Sequence, residues 1–176
     1  MEKKKKPIGK NKGNAEERKV AKELSTWFFN DPDVLKRHPD SGATKSCYCG
    51  DVIPMKQLIE YWEYGWPFII EVKTGYASHL PTFYNCNKIQ EWFGKAYHEG
   101  LINNQHIVLL ITRFKGRSPL LITNYYIKNL PFTVLMPYNN NDSIICSYVY
   151  DYKSLFNYSY THIFDMIEIR ERNLIN

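Results

Sequence analysis

The 176-residue chain is 44% hydrophobic and 23% charged, enough apolar content for the core of one ordinary domain, which excludes wholesale disorder. It has no run of ~18 apolar residues to cross a membrane and no apolar segment behind its charged start to make a signal peptide. Four cysteines do not suggest a disulfide framework, so a reducing cytoplasm is expected. The net charge of +5 lies in residues 1–12, which hold six lysines and one glutamate, while the remaining residues balance at 17 basic against 17 acidic.

In chain order, residues 1–13 (lysine-rich, with Pro7, Gly9 and Gly13) read as a flexible basic arm and residues 14–176 as a single domain. A short polybasic arm suits a polyanion, most often nucleic acid; a solvated, disordered start accounts for a lysine run equally well. Asn14 is suited to cap a first helix, with Glu16 and Glu17 complementing its positive end. Val20, Ala21, Leu24, Trp27 and Phe28 follow at helical spacing, and Asn30, Asp31 and Pro32 stop the helix. Residues 39–50 are rich in turn formers. Gly50-Asp51-Val52-Ile53 starts a strand, and residues 67–73 form an apolar run ending in charge, the pattern of a central buried strand. Residues 85–99 read as a second helix, with Ile89, Trp92, Phe93 and Ala96 on one face. Strands are expected over residues 106–114, 119–127 and 143–152, a loop at 139–142, and a closing helix over 153–172. Helix, strands, helix, strands, helix is the order of an α/β sheet with helices on its faces.

One arrangement carries chemistry. Period-two alternation puts Glu71 and Lys73 on the same face of their strand, with Val72 on the other. If Asp51 pairs alongside, two carboxylates and a lysine converge. The carboxylates supply oxygen ligands for a hard divalent cation such as Mg²⁺, and the lysine is left to contact a phosphate or a water. On a helical wheel at ~100° per residue, Glu17 falls within roughly 20° of the centre of the apolar stripe and Glu16 about 80° away. Glu17 therefore points inward, where a carboxylate is expensive unless a cation pairs with it.

Asp51 with Glu71-Val72-Lys73 resembles the signature of the PD-(D/E)xK nuclease superfamily. Over residues 12–115 the chain resembles the archaeal-type Holliday junction resolvases more closely, through Lys12-Gly13, Glu17-Arg18, Ser41-Gly42, Asp51-Val52-Ile53, Glu71-Val72-Lys73 and Gln90 in the following helix. Glu71-Val72-Lys73-Thr74 and residues 87–90 are also similar to the bacterial recombination protein U resolvases. The resemblance implies a restriction-endonuclease-like fold, a central mixed β-sheet flanked by helices. It implies a structure-selective DNA endonuclease that uses Mg²⁺, with Mn²⁺ as a substitute, and cuts four-way junctions as a homodimer. Glu17, Asp51, Glu71 and Lys73 become the catalytic residues, with Asp51, Glu71 and Glu17 as the metal set. Gln90 would orient a water or the Glu-x-Lys strand, and Arg18 and Ser41 would contact DNA, although Gln90 reads equally as a solvent-facing helix residue and Ser41 serves equally to cap a turn.

Further DNA contacts are expected from the arm (Lys3, Lys4, Lys5, Lys6, Lys10, Lys12) and from Arg113, Lys115 and Arg117, which frame a turn at Gly116. A charged, solvated hairpin is the competing account of the last three. Three features depart from the family pattern: Gly50 stands where a proline is expected, Asp51 and Glu71 are further apart, so that residues 54–65 look like an insertion, and the last third is aromatic-rich and unfamiliar. They leave a duplex-cutting restriction or repair nuclease, and a DNA-binding module without cleavage, as alternatives.

Two Pro-Asp pairs compete with Asp51, but Asp33 and Asp40 sit among turn formers with no apolar strand directly after them. Cys47 and Cys49 with His38 and Cys86 suggest zinc, yet the C-x-C spacing has no second pair at a zinc-finger distance. Tyr148, Tyr150, Tyr152, Tyr158 and Tyr160 form a tract suited to a dimer face or to stacking of unpaired bases. The abundance of Lys, Asn, Ile and Tyr fits an AT-rich genome such as a phage's.

Overall fold

The computed structural model describes residues 8–39, 48–55, 66–75, 87–114, 116–127, 129–140 and 143–158. Helix α1 (Ile8–Phe29) begins well before the expected cap, so Gly9, Lys10, Lys12 and Gly13 belong to a helix and not to an arm. Asn14 does not cap it; its Oδ1 accepts a hydrogen bond from Arg37 Nη2 at 3.1 Å. The predicted stripe is the buried one, with Val20, Ala21, Leu24 and Phe28 in the core. The helix stops where expected. Asn30 takes the left-handed conformation (φ 55°) and its N–H donates to the Thr26 carbonyl at 2.9 Å. Ser25 then ties the helix end to the next strand: its hydroxyl donates to Asp31 O (2.6 Å) and accepts from the N–H groups of Val34 and Leu35 (2.9 Å each).

Seven strands form one mixed sheet: β1 (Leu35–Arg37), β2 (Val52–Pro54), β3 (Phe68–Thr74), β4 (Ile107–Arg113), β5 (Leu120–Thr123), β6 (Phe132–Asn140) and β7 (Ser143–Asp151). Their spatial order is β1-β2-β3-β4-β5-β7-β6. Helix α2 (Asn87–Ile102) makes the crossover between β3 and β4, the one parallel pair among the described strands; the other pairs are antiparallel. Alternation along β3 and β4 feeds two cores. Phe68, Ile70, Val72, Leu109 and Ile111 pack under α1, and Ile69, Val108 and Leu110 pack under α2 with Ile89, Phe93 and Ala96. No helix among the described residues is long and apolar enough to cross a membrane.

Four elements after α1 differ from expectation. β1 is too short for its period to show. β6 carries Pro137 and ends in asparagines, which argue against a strand; it lies at the sheet edge, where a proline is tolerated. Asn139 and Asn140 pair with Ile144 and Ser143 in the ladder instead of looping. After β7 the chain makes a 3₁₀ helix (Tyr152–Asn157), held by Asp151 Oδ2 accepting from Ser154 N, where a longer closing helix was expected; residues 159–172 of that expectation lie outside the described residues. β5 also ends early, because the Asn124 side chain takes over the β4 edge, accepting from Val108 N and donating to His106 O.

Candidate active site

The charged end of β3 sits beside the start of β2. Val72 enters the core under α1, while Glu71 and Lys73 leave the strand on the other face, as the alternation predicted. β2 is short, and its Val52 pairs with Ile70. One residue earlier, Asp51 N–H donates to Ile70 O and Asp51 O accepts from His38 N, both at 2.8 Å. Beyond that point β2 offers β3 no further ladder pair, and the Asp51 carboxylate stands in: Oδ2 accepts from Val72 N–H at 2.8 Å. This fixes a side chain only 12% exposed and brings Oδ2 within 3.8 Å of Lys73 Nζ.

Gly50 accounts for the missing proline. Its φ is +99°, and a Cβ there would lie 2.7 Å from Ile70 O. Proline, held near φ −65°, cannot take that conformation, and neither can other residues without moving the β3 backbone. The close approach that glycine permits presses Asp51 against β3.

Electrostatics follow from this packing. Glu71 and Lys73 form an ion pair. Burial and the facing Asp51 carboxylate push the Glu71 carboxyl up to about 7, against the opposing pull of Lys73. Burial acts to lower the Lys73 pKa, but Glu71, Asp51 and, more weakly, Glu17 outweigh it, so its net shift is upward and the ammonium stays charged. Nearby, burial first and then the charges of Glu99 and Glu71 raise the Cys49 thiol.

Glu17 is more enclosed than Glu16, with 12% against 30% of the side chain exposed. Its carboxylate is paired with a guanidinium: Oε2 accepts from Arg37 Nε at 2.6 Å. Sequence reasoning missed Arg37. The guanidinium also donates to Asn14 Oδ1 and to the Pro39 carbonyl (3.3 Å), so it ties α1 to β1 and the following turn. An unpaired carboxylate on an inward helix face was the available signal, and it called for a cation from an element not yet recognised as a strand.

The other expected site residues scatter. Arg18 is exposed on α1, and Gln90 is half-buried in the first turn of α2. Arg113 lies between two carboxylates of α1, Glu16 (Nη1 to Oε2, 3.6 Å) and Glu23, with its guanidinium over the Tyr152 ring at 5.1 Å. Arg117 is exposed in the following turn. Lys3, Lys4, Lys5, Lys6, Ser41 and Lys115 lie outside the described residues, as do the decoy Asp40 and the zinc candidates Cys47 and Cys86. Asp33 is in an exposed turn held by Asp31. Tyr150 and Tyr152 are core residues, 0% and 1% exposed, and so cannot belong to a dimer face or stacking platform; burial pushes the Tyr150 hydroxyl up to about 12.

Among the described residues no three of His, Cys, Asp and Glu gather into a metal-holding group. The donor set is two carboxylates beside a lysine. That fits a hard cation which takes one or two carboxylates and completes its shell with water and phosphate oxygens, as Mg²⁺ does. Burial first, and then the facing Asp51 carboxylate, raise Glu71, and a cation between the two carboxylates would act against both.

A mixed sheet with a parallel central pair, an Asp at the head of one strand and Glu-x-Lys closing its neighbour define a PD-(D/E)xK nuclease fold. The chain belongs to the family described as "Phage putative PDDEXK endonuclease", which it matches over residues 9–175. It is therefore an endonuclease by family. No curated protein and no solved structure matches it.

Proposed function

We propose that this protein is a Mg²⁺-dependent, structure-selective endonuclease that cuts branched DNA, four-way junctions first, and works as a homodimer in the cytoplasm of a phage-infected host. The observation that carries the reading is the meeting of Asp51, Glu71 and Lys73 at the end of β3. Junction preference draws on the ordered resemblance of residues 12–115 to resolvases, and dimerisation on the two symmetric cuts a junction needs.

Asp51 and Glu71 would hold the metal. Bound there, Mg²⁺ supplies a water of lowered pKa and a polarised phosphate. Lys73, kept protonated by the two carboxylates, offers its ammonium to the negative charge that builds on the phosphate oxygens. The Val72 N–H keeps Asp51 from rotating, and Arg37 keeps Glu17 at a distance from which its charge acts on Lys73. The lysines of residues 1–12 add phosphate contacts, so deletion of residues 1–7 should flatten the salt dependence of binding.

The deciding experiment incubates the protein with a mobile four-way junction and with a linear duplex, in Mg²⁺ or in EDTA. Junction cleavage in Mg²⁺ alone is the expected result. Equal cutting of linear duplex would point to a restriction or repair-type nuclease, and binding without any cleavage to an idle module.

A further inference from the structure

Residues 13–176 balance at 17 basic against 17 acidic, but their charges are not evenly spread. Arg18, Lys19 and Lys22 are exposed on the side of α1 away from the sheet, and Lys36 on β1 and Lys153 on the 3₁₀ helix are exposed on either flank. Among the described residues none of these five has a carboxylate partner. Two grooves adjoin them. One, of about 340 Å³, runs between α1 and β1 past Arg18, Lys22 and Lys36. The other, of about 560 Å³, runs between α1 and the 3₁₀ helix past Lys19, Lys22 and Lys153. Lys22 borders both, so the cations form one continuous ridge.

From this we infer that the outer face of α1 is a second DNA-binding surface, which carries a DNA segment other than the one at Asp51 and Glu71. The inference rests on the endonuclease reading above and names the geometry of its substrate. Arg18 and Lys22 are one helical turn apart, about 6 Å along α1. With Lys36 on one flank and Lys153 on the other, these cations run across α1, and such an unneutralised patch suits a sugar-phosphate backbone, which it binds by releasing condensed counterions. The ridge and the catalytic pair face different ways. α1 packs on one face of the sheet, whereas Glu71 and Lys73 leave β3 on the other. A straight duplex cannot lie on both; two arms of a branched molecule can.

The test compares two double variants that remove the same charge: Lys22→Gln with Lys36→Gln on the ridge, and Lys88→Gln with Lys95→Gln on α2. Binding to a four-way junction and to a short linear duplex is measured in EDTA across a salt series. The ridge variant should bind the junction about tenfold more weakly, with a log–log salt slope shallower by about 1.8, and lose less than roughly threefold on the duplex. The α2 variant should change neither. Equal losses on junction and duplex, equal losses in both variants, or no loss in the ridge variant would each overturn the inference. Failure of the endonuclease reading shows separately, as an unmodified protein that does not cut DNA in Mg²⁺.

Discussion

The two helices treat their charges in opposite ways. α2 neutralises itself along its own surface, pairing Lys88 with Glu91 at 2.7 Å and Lys95 with Glu99 at 3.6 Å, all four side chains well exposed. The carboxylates of α1 reach across to the sheet instead: Glu17 to Arg37 on β1, and Glu16 and Glu23 to Arg113 on β4. Local pairs contribute little and leave a neutral surface. Cross-element pairs fix the helix against the sheet beside the candidate site. They also use up the acids of α1 on its inner side, so the lysines and Arg18 remain unneutralised outside. Residues 13–176 balance in sum, yet α1 presents a cationic outer surface and α2 a neutral one.

The largest expected effect tests the site that α1 braces. Asp51→Asn and Glu71→Gln should each lower junction cleavage by at least ~10³-fold, since several kcal/mol of charge stabilisation at the phosphate depends on a metal held by both. Binding in EDTA should persist, because neither change alters shape. Cleavage at the wild-type rate in either variant would place the metal elsewhere.

Next in size comes the contrast in stability between the helices. Arg113 is mostly enclosed between Glu16, Glu23 and the Tyr152 ring, so Arg113→Gln should lower unfolding free energy by about 3 kcal/mol. Lys88→Gln removes an exposed i,i+3 pair and should cost less than about 0.5 kcal/mol. Denaturant melts of the two variants give the comparison directly, and similar midpoints would mean that the cross-element pairs do not anchor α1.

Within α1, Glu17→Gln should slow cleavage by about 10–100-fold, the scale of groups that orient a metal site from one step away. Glu16→Gln should leave the rate within roughly threefold, because its partner Arg113 keeps Glu23. Single-turnover rates at saturating DNA separate this from binding. A larger defect in Glu16→Gln would show that the helix phase has been misassigned.

What could be read from the sequence followed from period and burial. The inward stripe of α1, the charged end of β3 and the face shared by Glu71 and Lys73 all come from alternation or helical phase, and the structure reproduces them. What could not be read depended on contacts between distant segments. Arg37 has meaning only once β1 is known to lie against the start of α1. Gly50 looks like a departure until its contact with Ile70 shows that a side chain would not fit. The tyrosine tract looks like a surface because aromatic content does not reveal which residues β7 and the 3₁₀ helix bury. The charge sum hid the ridge, since a total says nothing about which carboxylate lies beside which cation.

The smallest effect tests the electrostatics of the site without any DNA. Glu71 holds its proton up to about pH 7 in the folded protein and to about 4.5 when free of its surroundings. Between those values the native state binds more protons than the unfolded chain, so stability without metal falls as pH rises, and the loss is complete above 7. Burial and the Asp51 carboxylate drive that loss against the opposing pull of Lys73. Glu71→Gln cannot ionise, so it should match the wild type near pH 4 and exceed it at pH 8. Mg²⁺ requires the deprotonated carboxylate and should act in the opposite sense, raising the wild-type melting temperature at pH 8 far more than at pH 5. The gain should vanish in Glu71→Gln, because its amide carries no charge to offer a cation. Melting curves of both proteins at the three pH values, with Mg²⁺ and with EDTA, give every comparison. A wild type whose stability rises from pH 4.5 to 7 without metal would mean that Lys73, and not Asp51 and burial, dominates Glu71. A Mg²⁺ gain that survives in Glu71→Gln would mean that the cation binds away from this carboxylate.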